Sequence, residues 1–302
     1  MQLIDIGVNL LSPSFDTDRE AALLRAEAAG VSPLIITGSS VESSAEAAAF
    51  ARQYNAPHPG KRSSPAKLYS TVGVHPHNAR FWDETAEKAI KELVGNAAGS
   101  GKPNSVSQAV LAIGECGLDY NRDFSPRDAQ RRCFEDQIHL ASDLEMPLFL
   151  HARDAFEDFS AILENGRGKV PDVVVHCFTG TERELEKYLD LGCYIGITGW
   201  ICDERRGKHL IPLLKNIPAN RLLLETDAPY LTPRNMPNAK KIHRNESANL
   251  VHIAAFIAEA LEKDIETLAK ETFENTIRFF GIEYEEITAE YTEKKTPRTQ
   301  RI

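Results

Sequence analysis

Four short apolar runs each end on a side chain able to hold a divalent cation: VLAIGE on Glu115, PLFLH on His151, VVVH on His176 and LLLETD on Asp227. A run of roughly four to six apolar residues marks a strand buried on both faces, and a polar residue at its downstream end emerges where the chain leaves the core. If the strands are parallel neighbours in one sheet, their downstream ends share a face. The four side chains then converge on one point, and that point is a candidate active site.

The remainder of the chain supports such a sheet. Apolar runs separated by helical periodicity give eight strand candidates: LIDIG, PLIITG, LYSTVGV, AVLAIGE, PLFLH, VVVHCF, YIGITG and LLLETD. Between them, DREAALLRAEAAG (Asp18 as cap, Gly30 as stop), DETAEKAIKELV, SPRDAQRRCFEDQIHLASDLE, TERELEKYLDLG and DERRGKHLIPLLKNI read as helices. Eight such alternations predict an α/β fold, a single (β/α)8 TIM-type barrel, whose active sites sit at the downstream ends of the strands. Two further helical segments, ANLVHIAAFIAEALEK and IETLAKETFENTIRFFG, follow the eighth strand. The barrel with these extra C-terminal helices is expected over residues 1–282, and the polar tail 283–302 is expected to be frayed or disordered. Two stretches rich in Pro, Gly, Ser and Lys, NAPHPGKRSSPAK and GNAAGSGKPNSVSQ, read as surface insertions on the face away from the site.

Composition narrows the class. No stretch approaches the roughly 20 apolar residues of a membrane span, and MQLIDIGVNLL lacks the pattern of a secretory signal. A cytoplasmic location is expected, or a nuclear one in a eukaryote, with no obligate protein partner. The five cysteines have no C-x-x-C spacing and read as reduced thiols. Cys116 and Cys177 follow two candidate ligands, but adjacent strand residues point to opposite faces, so both are expected to be buried structural thiols. A net charge of -9 argues against a general nucleic-acid coat. It does not exclude an enzyme, because a bound cation brings charge that a count of side chains omits.

Two imidazoles and two carboxylates around one point suit Zn, Mn, Fe, Co or, less comfortably, Mg. Hydrolysis at phosphorus or carbonyl carbon is the usual use of such a site. Glu115, His151 and His176 are assigned to the metal, and Asp227 to a further ligand position or to the general base. His75, in GVHPH after the third strand, is placed to contact a phosphate oxygen or to protonate a leaving group. Basic residues gather in the loops after the strands. Arg153, Arg206 and Arg244 are candidates for holding substrate phosphates, and Trp200 and Tyr230 for stacking on bases.

With these residues assembled, the chain closely resembles the TatD family of metal-dependent deoxyribonucleases, among the amidohydrolase-like barrels. The matching stretches run from LIDIGVNL through STVGVHPH, AIGECGLDYNRDFS, MPLFLHARDA, VVHCFTGT and YIGITGWICDERRG to LLLETDAPYLTPR and RNESANLVHI, with GECGLD and ETDAPYL the specific signatures. The resemblance implies a divalent metal, one ion or two, and hydrolysis of DNA, commonly from the 3′ end of single strands. It also implies that Glu115, His151, His176 and Asp227 are metal-site residues and that His75 is a site histidine. Many relatives carry H-x-H on the first strand, where this chain has Gly7-Val8-Asn9, a loss shared with the subgroup of TatD proper. Fewer imidazoles make a harder site, favouring Mg, then Mn, over Zn. Two other readings stay open: a hydrolase of a small amide, ester or lactone, and a binding protein without chemistry.

Overall fold

The computed structural model describes residues 1–56, 67–97, 109–237 and 239–283. All eight expected strands form: β1 Leu3–Val8, β2 Val31–Ile36, β3 Leu68–Val72, β4 Val110–Asp119, β5 Leu148–Arg153, β6 Val173–Val175, β7 Tyr194–Ile197 and β8 Leu222–Leu224. They pair in sequence order, each parallel to the next. Beyond β8 the seam to β1 is drawn together by Asp227 N–H donating to Gly7 O (2.9 Å) and Asn9 N–H donating to Ala228 O (2.7 Å). The sheet is a nearly closed barrel, and the seam lies at the level of the candidate site.

Helices α1 Arg19–Ala28, α2 Val41–Asn55, α3 Glu84–Ala97, α4 Arg127–Asp143, α5 Phe156–Arg167 and α6 Glu182–Asp190 alternate with the strands. Their buried faces form one large apolar cluster with the outward side chains of the sheet, among them Leu34, Leu148, Leu150, Phe134 and Phe159. Ile4, Ile6, Ile35, Phe149, Val174 and Leu223 make a second cluster. It is completed by Phe273, Phe279 and Phe280 of the last helix, α9 Ile265–Phe280, which follows α8 Leu250–Ala260. Asn275 of α9 donates to Ala219 O and Leu222 O at the start of β8, so α9 packs at the upstream end of the barrel. The apolar filling thus sits at one end, and the downstream end is left for polar side chains.

DERRGKHLIPLLKNI departs from expectation. Only α7 Leu210–Leu213 forms, followed by a short 3-10 turn. Asp203 accounts for the break: its carboxylate accepts from Arg205 N–H and its carbonyl from Arg206 and Gly207 N–H, winding the chain into turns before a helix can start. Pro212, in the first turn of α7, has no N–H to bond a carbonyl further upstream, so the helix does not extend back toward Asp203. Asp18 precedes α1 as expected, but its side chain caps nothing and pairs with Arg25 and Arg244. Most of the two surface insertions, 57–66 and 98–108, and the tail 284–302 lie outside the described residues.

Candidate metal centre

β4 places its acid by bending. Gly114 and Gly117 have φ of +139° and +134°, and a Cβ on either would lie 2.1 Å from Phe149 O or 2.0 Å from His151 O. Only glycine permits this close approach of β4 to β5, and the pairing register shifts between the two residues. Glu115, between the glycines, is carried into the downstream end of the barrel. There its Oε1 meets three imidazoles from three different strand ends: His176 Nε2 at 2.7 Å, His151 Nδ1 at 3.1 Å and His75 Nε2 at 3.3 Å.

β4 continues past Glu115 to Asp119, four residues on and therefore on the same face of the strand. Its Oδ2 lies 2.8 Å from His77 Nε2 and 3.4 Å from His151 Nε2. Two buried glutamines of α4, seven residues or about two turns apart, clamp these loops. Gln137 accepts from Val74 N–H and donates to Val74 O, just before His75. Gln130 accepts from Asp119 N–H and donates to Asp119 O and Ser125 O. Neither His77 nor Asp119 was singled out from the sequence, although H-P-H and GECGLD contain them; the signal was the strand continuing beyond Glu115.

Opposite, Asp227 follows β8 with φ of +53°, a left-handed conformation that costs a non-glycine residue about 1–3 kcal/mol and that clusters at functional sites. Its Oδ1 accepts from Asn9 Nδ2 at 3.0 Å. Cys177 likewise has a left-handed φ, +46°, because the chain turns just beyond the end of β6. The alternation expected from the strand therefore fails there, and Cys177 lines the cleft instead of facing away from it; Cys116 is in the core as expected.

These charges act on one another. Burial alone would raise the pKa of Glu115, but His75 and His176 outweigh it and hold the carboxyl well below its usual range. His176 is pushed down by burial and, more strongly, up by Glu115 and Glu225, ending well above an ordinary imidazole. His75 is driven down to about 4 by burial. His77 N–H donates to His75 Nδ1, so neutral His75 carries its proton on Nε2, facing Glu115. Asp227, partly buried and with Asn9 as its side-chain partner, is raised to about 7 by loss of water contact.

His75, Glu115 and His151 offer donor atoms all within 4.8 Å of one another, and His176 reaches the same carboxylate oxygen. Among the described residues no Lys or Arg pairs with Glu115, and the buried Nε2 of His151 has only the long 3.4 Å pair with Asp119. Three imidazoles around one carboxylate oxygen, with no Lys or Arg to neutralise it, fit a divalent cation.

The site floors an open cleft of about 450 Å³, lined also by Asn9, Asp119, Asp227, Arg122, Arg153 and Arg206. The guanidinium of Arg153 has no hydrogen-bond or ion-pair partner among the described residues. Arg206 pairs with Asp203 (3.0 Å) and lies over Trp200 (4.1 Å). Arg244 is not brought to this cleft, contrary to the sequence expectation: it bonds Ser14 O, pairs with Asp18 at 2.7 Å and lies over Phe15. Its position in the β8 loop suggested the rim, but the acidic start of α1 draws the side chain away.

Residues 4–281 match the family model described as TatD related DNase. The 3′-5′ ssDNA/RNA exonuclease TatD of Rahnella sp. (strain Y9602) is 46% identical over 280 residues, covering 93% of this chain and 98% of that protein. The protein of the same name from Escherichia coli (strain K12) is 45% identical over 282 residues, covering 93% and 100%. Among solved structures, a hydrolase TatD family protein from Entamoeba histolytica superposes with a TM-score of 0.79 at 26% identity, covering 93% and 98%. Barrel, carboxylate–imidazole cluster and nearly full-length identity agree: the chain belongs to the TatD-related DNase family.

Proposed function

We propose that this protein is a metal-dependent exonuclease that hydrolyses phosphodiester bonds of single-stranded nucleic acid from the 3′ end, with one catalytic unit spanning residues 1–282. The observation that carries the reading is the convergence of His75, His151 and His176 on Glu115 at the floor of a cleft rimmed by arginines. Relatives named 3′-5′ ssDNA/RNA exonuclease support the substrate and the polarity.

Glu115, His151 and His176 would hold the cation, with Asp227 at its open side; Mg or Mn suits a site with two imidazole ligands and carboxylates better than Zn. A divalent cation there supplies Lewis acidity, lowering the pKa of water and polarising a phosphoryl oxygen. Asp227, when ionised, accepts the proton of the attacking water. His75 presents Nε2–H as a donor that keeps Glu115 oriented or contacts a phosphate oxygen. Arg153, with no competing partner, holds a flanking phosphate, and Arg206 does so from its stack on Trp200. Tyr230 lines the cleft with more than half its surface exposed, and Phe124, equally exposed, lies beside His77; unpaired bases can stack on both, which favours single strands. The arginine-lined cleft does not favour the small-amide or lactone reading.

The test is a 5′-end-labelled oligonucleotide, single- or double-stranded, DNA or RNA, incubated with Mg2+, Mn2+ or Zn2+ and resolved by length. A ladder shortening from the 3′ end with Mg2+ or Mn2+, faster on single strands, is expected. Intact label under every metal, or turnover of lactones and esters far above that of DNA, would overturn the proposal.

A further inference from the structure

Glu225 is the acid that this mechanism does not use, and it is the most deeply enclosed of the site's carboxylates. It has no exposed surface, and no Lys or Arg pairs with it among the described residues. Its Oε1 accepts from Cys177 N–H, and its Oε2 lies 3.2 Å from His176 Nδ1. A buried carboxylate costs several kcal/mol unless its oxygens are satisfied, and these two donors are what satisfy it. Two strands make room for it by carrying no side chain. A Cβ on Gly7 of β1 would lie 2.6 Å from Oε2, and one on Gly196 of β7 would lie 2.6 Å from Oε1. Asp227, two residues on, cannot substitute, since it is turned toward Asn9.

From this geometry, and resting on the metal-centre reading above, we infer that Glu225 is a positioning residue for His176. It accepts a hydrogen bond from Nδ1–H, fixes the ring in one orientation and leaves the Nε2 lone pair directed at the cation position beside Glu115. Gly7 and Gly196 form the cradle that holds it in place. Outer partners of this kind set the tautomer of a ligating histidine, and their loss typically weakens metal binding about 10- to 100-fold.

Glu225→Gln is the sharpest variant. An amide accepts at one atom only, so it cannot receive both Cys177 N–H and His176 Nδ1–H. Calorimetric titration with Mn2+ should show affinity about 10- to 100-fold weaker than wild type. Because the amide leaves one of those buried donors unpaired, the melting temperature of the metal-free protein should also fall, and the affinity is the readout that a merely structural role would not move. A purely structural role predicts a lower melting temperature with unchanged affinity, and that result would overturn the inference. Gly7→Ala is the second arm. Its Cβ would push the end of the Glu225 side chain out of place, with Phe149 Cζ next at 3.2 Å, so it should weaken Mn2+ binding; wild-type affinity in Gly7→Ala would count equally against the cradle. Failure of the wild-type protein to bind Mn2+ at all would instead overturn the metal-centre reading, and this inference with it.

Discussion

The acids near the two sides of the cleft are in opposite states. On the side built by the ends of β3, β4, β5 and β6, Glu115 and Asp119 are buried, yet imidazoles overcome that burial and hold both carboxyls well below their usual range. On the side of β8 and β1, loss of water contact raises both Asp227, partly buried in the cleft, and Asp5, fully buried beside Thr226 and outside the cleft lining, to about 7. Asp5 has Thr226 N–H and Oγ1–H as donors, and Asp227 has Asn9. The first strand, with Gly7-Val8-Asn9, brings no imidazole to that side. The comparison teaches that burial alone does not set the charge of these acids. What decides it is whether a neighbouring strand supplies a cationic partner. A divalent cation at the centre would serve the imidazole-poor side as the histidines serve the other, pulling Asp227 down into its ionised, proton-accepting form.

The largest effects should come from the imidazole-rich side. Glu115→Gln removes the charge on which three rings converge, so nucleotide release should fall by more than about 100-fold, beyond what loss of an outer partner causes, and calorimetry should find no Mn2+ binding. Wild-type binding there would break the comparison at its first half. Asp227→Asn should cost roughly 100-fold or more in turnover if Asp227 takes the proton. In the wild type the rate should rise with pH up to a limb at or below about 7, the value Asp227 has before a cation lowers it; the Asn variant should lack that limb in its pH–rate profile.

Asp5 sharpens the other half without touching the chemistry. Its carboxyl holds a proton more tightly folded than unfolded, with a pKa near 7 against 3.8. The stability this gives is therefore full below pH 3.8 and is lost as the pH rises through about 7, an effect worth up to about 4 kcal/mol. Asp5→Asn should be flat over that range relative to wild type, so that urea melts at pH 5 and pH 8 show a variant gaining on wild type at the higher pH. A constant difference between the two would refute the assignment. The smallest effects lie on the rim. Arg153→Ala should weaken binding of single-stranded DNA and reduce the salt dependence of log K by about 0.7, the share of one phosphate contact. Arg244→Ala should leave that slope unchanged, since its guanidinium is engaged with Asp18.

The sheet was legible because strands buried on both faces are written as continuous apolar runs, and each of the eight runs became a strand. Glu115, His151, His176 and Asp227 were legible for the same reason: each interrupts or follows such a run. What escaped depended on geometry beyond the run. The Gly114 and Gly117 bend let β4 continue to Asp119, which brought in Asp119 and His77. Glu225 was hidden beside Asp227 in LLLETD, because its role depends on Gly7 and Gly196 in other strands. Cys177 escaped the strand alternation through a left-handed turn, and Arg244 left the rim for an acid more than two hundred residues away in sequence. Local pattern fixes which face a strand residue takes, but contacts between distant segments decide which long side chains reach the cleft.

The most direct test of the central claim is anomalous scattering from a crystal grown with Mn2+. The account predicts a peak bonded to Glu115, His151 and His176, with Asp227 facing its open side, and the loss of that peak in Glu115→Gln. Absence of the peak from the wild-type cleft, or a peak bound elsewhere on the protein, would contradict it.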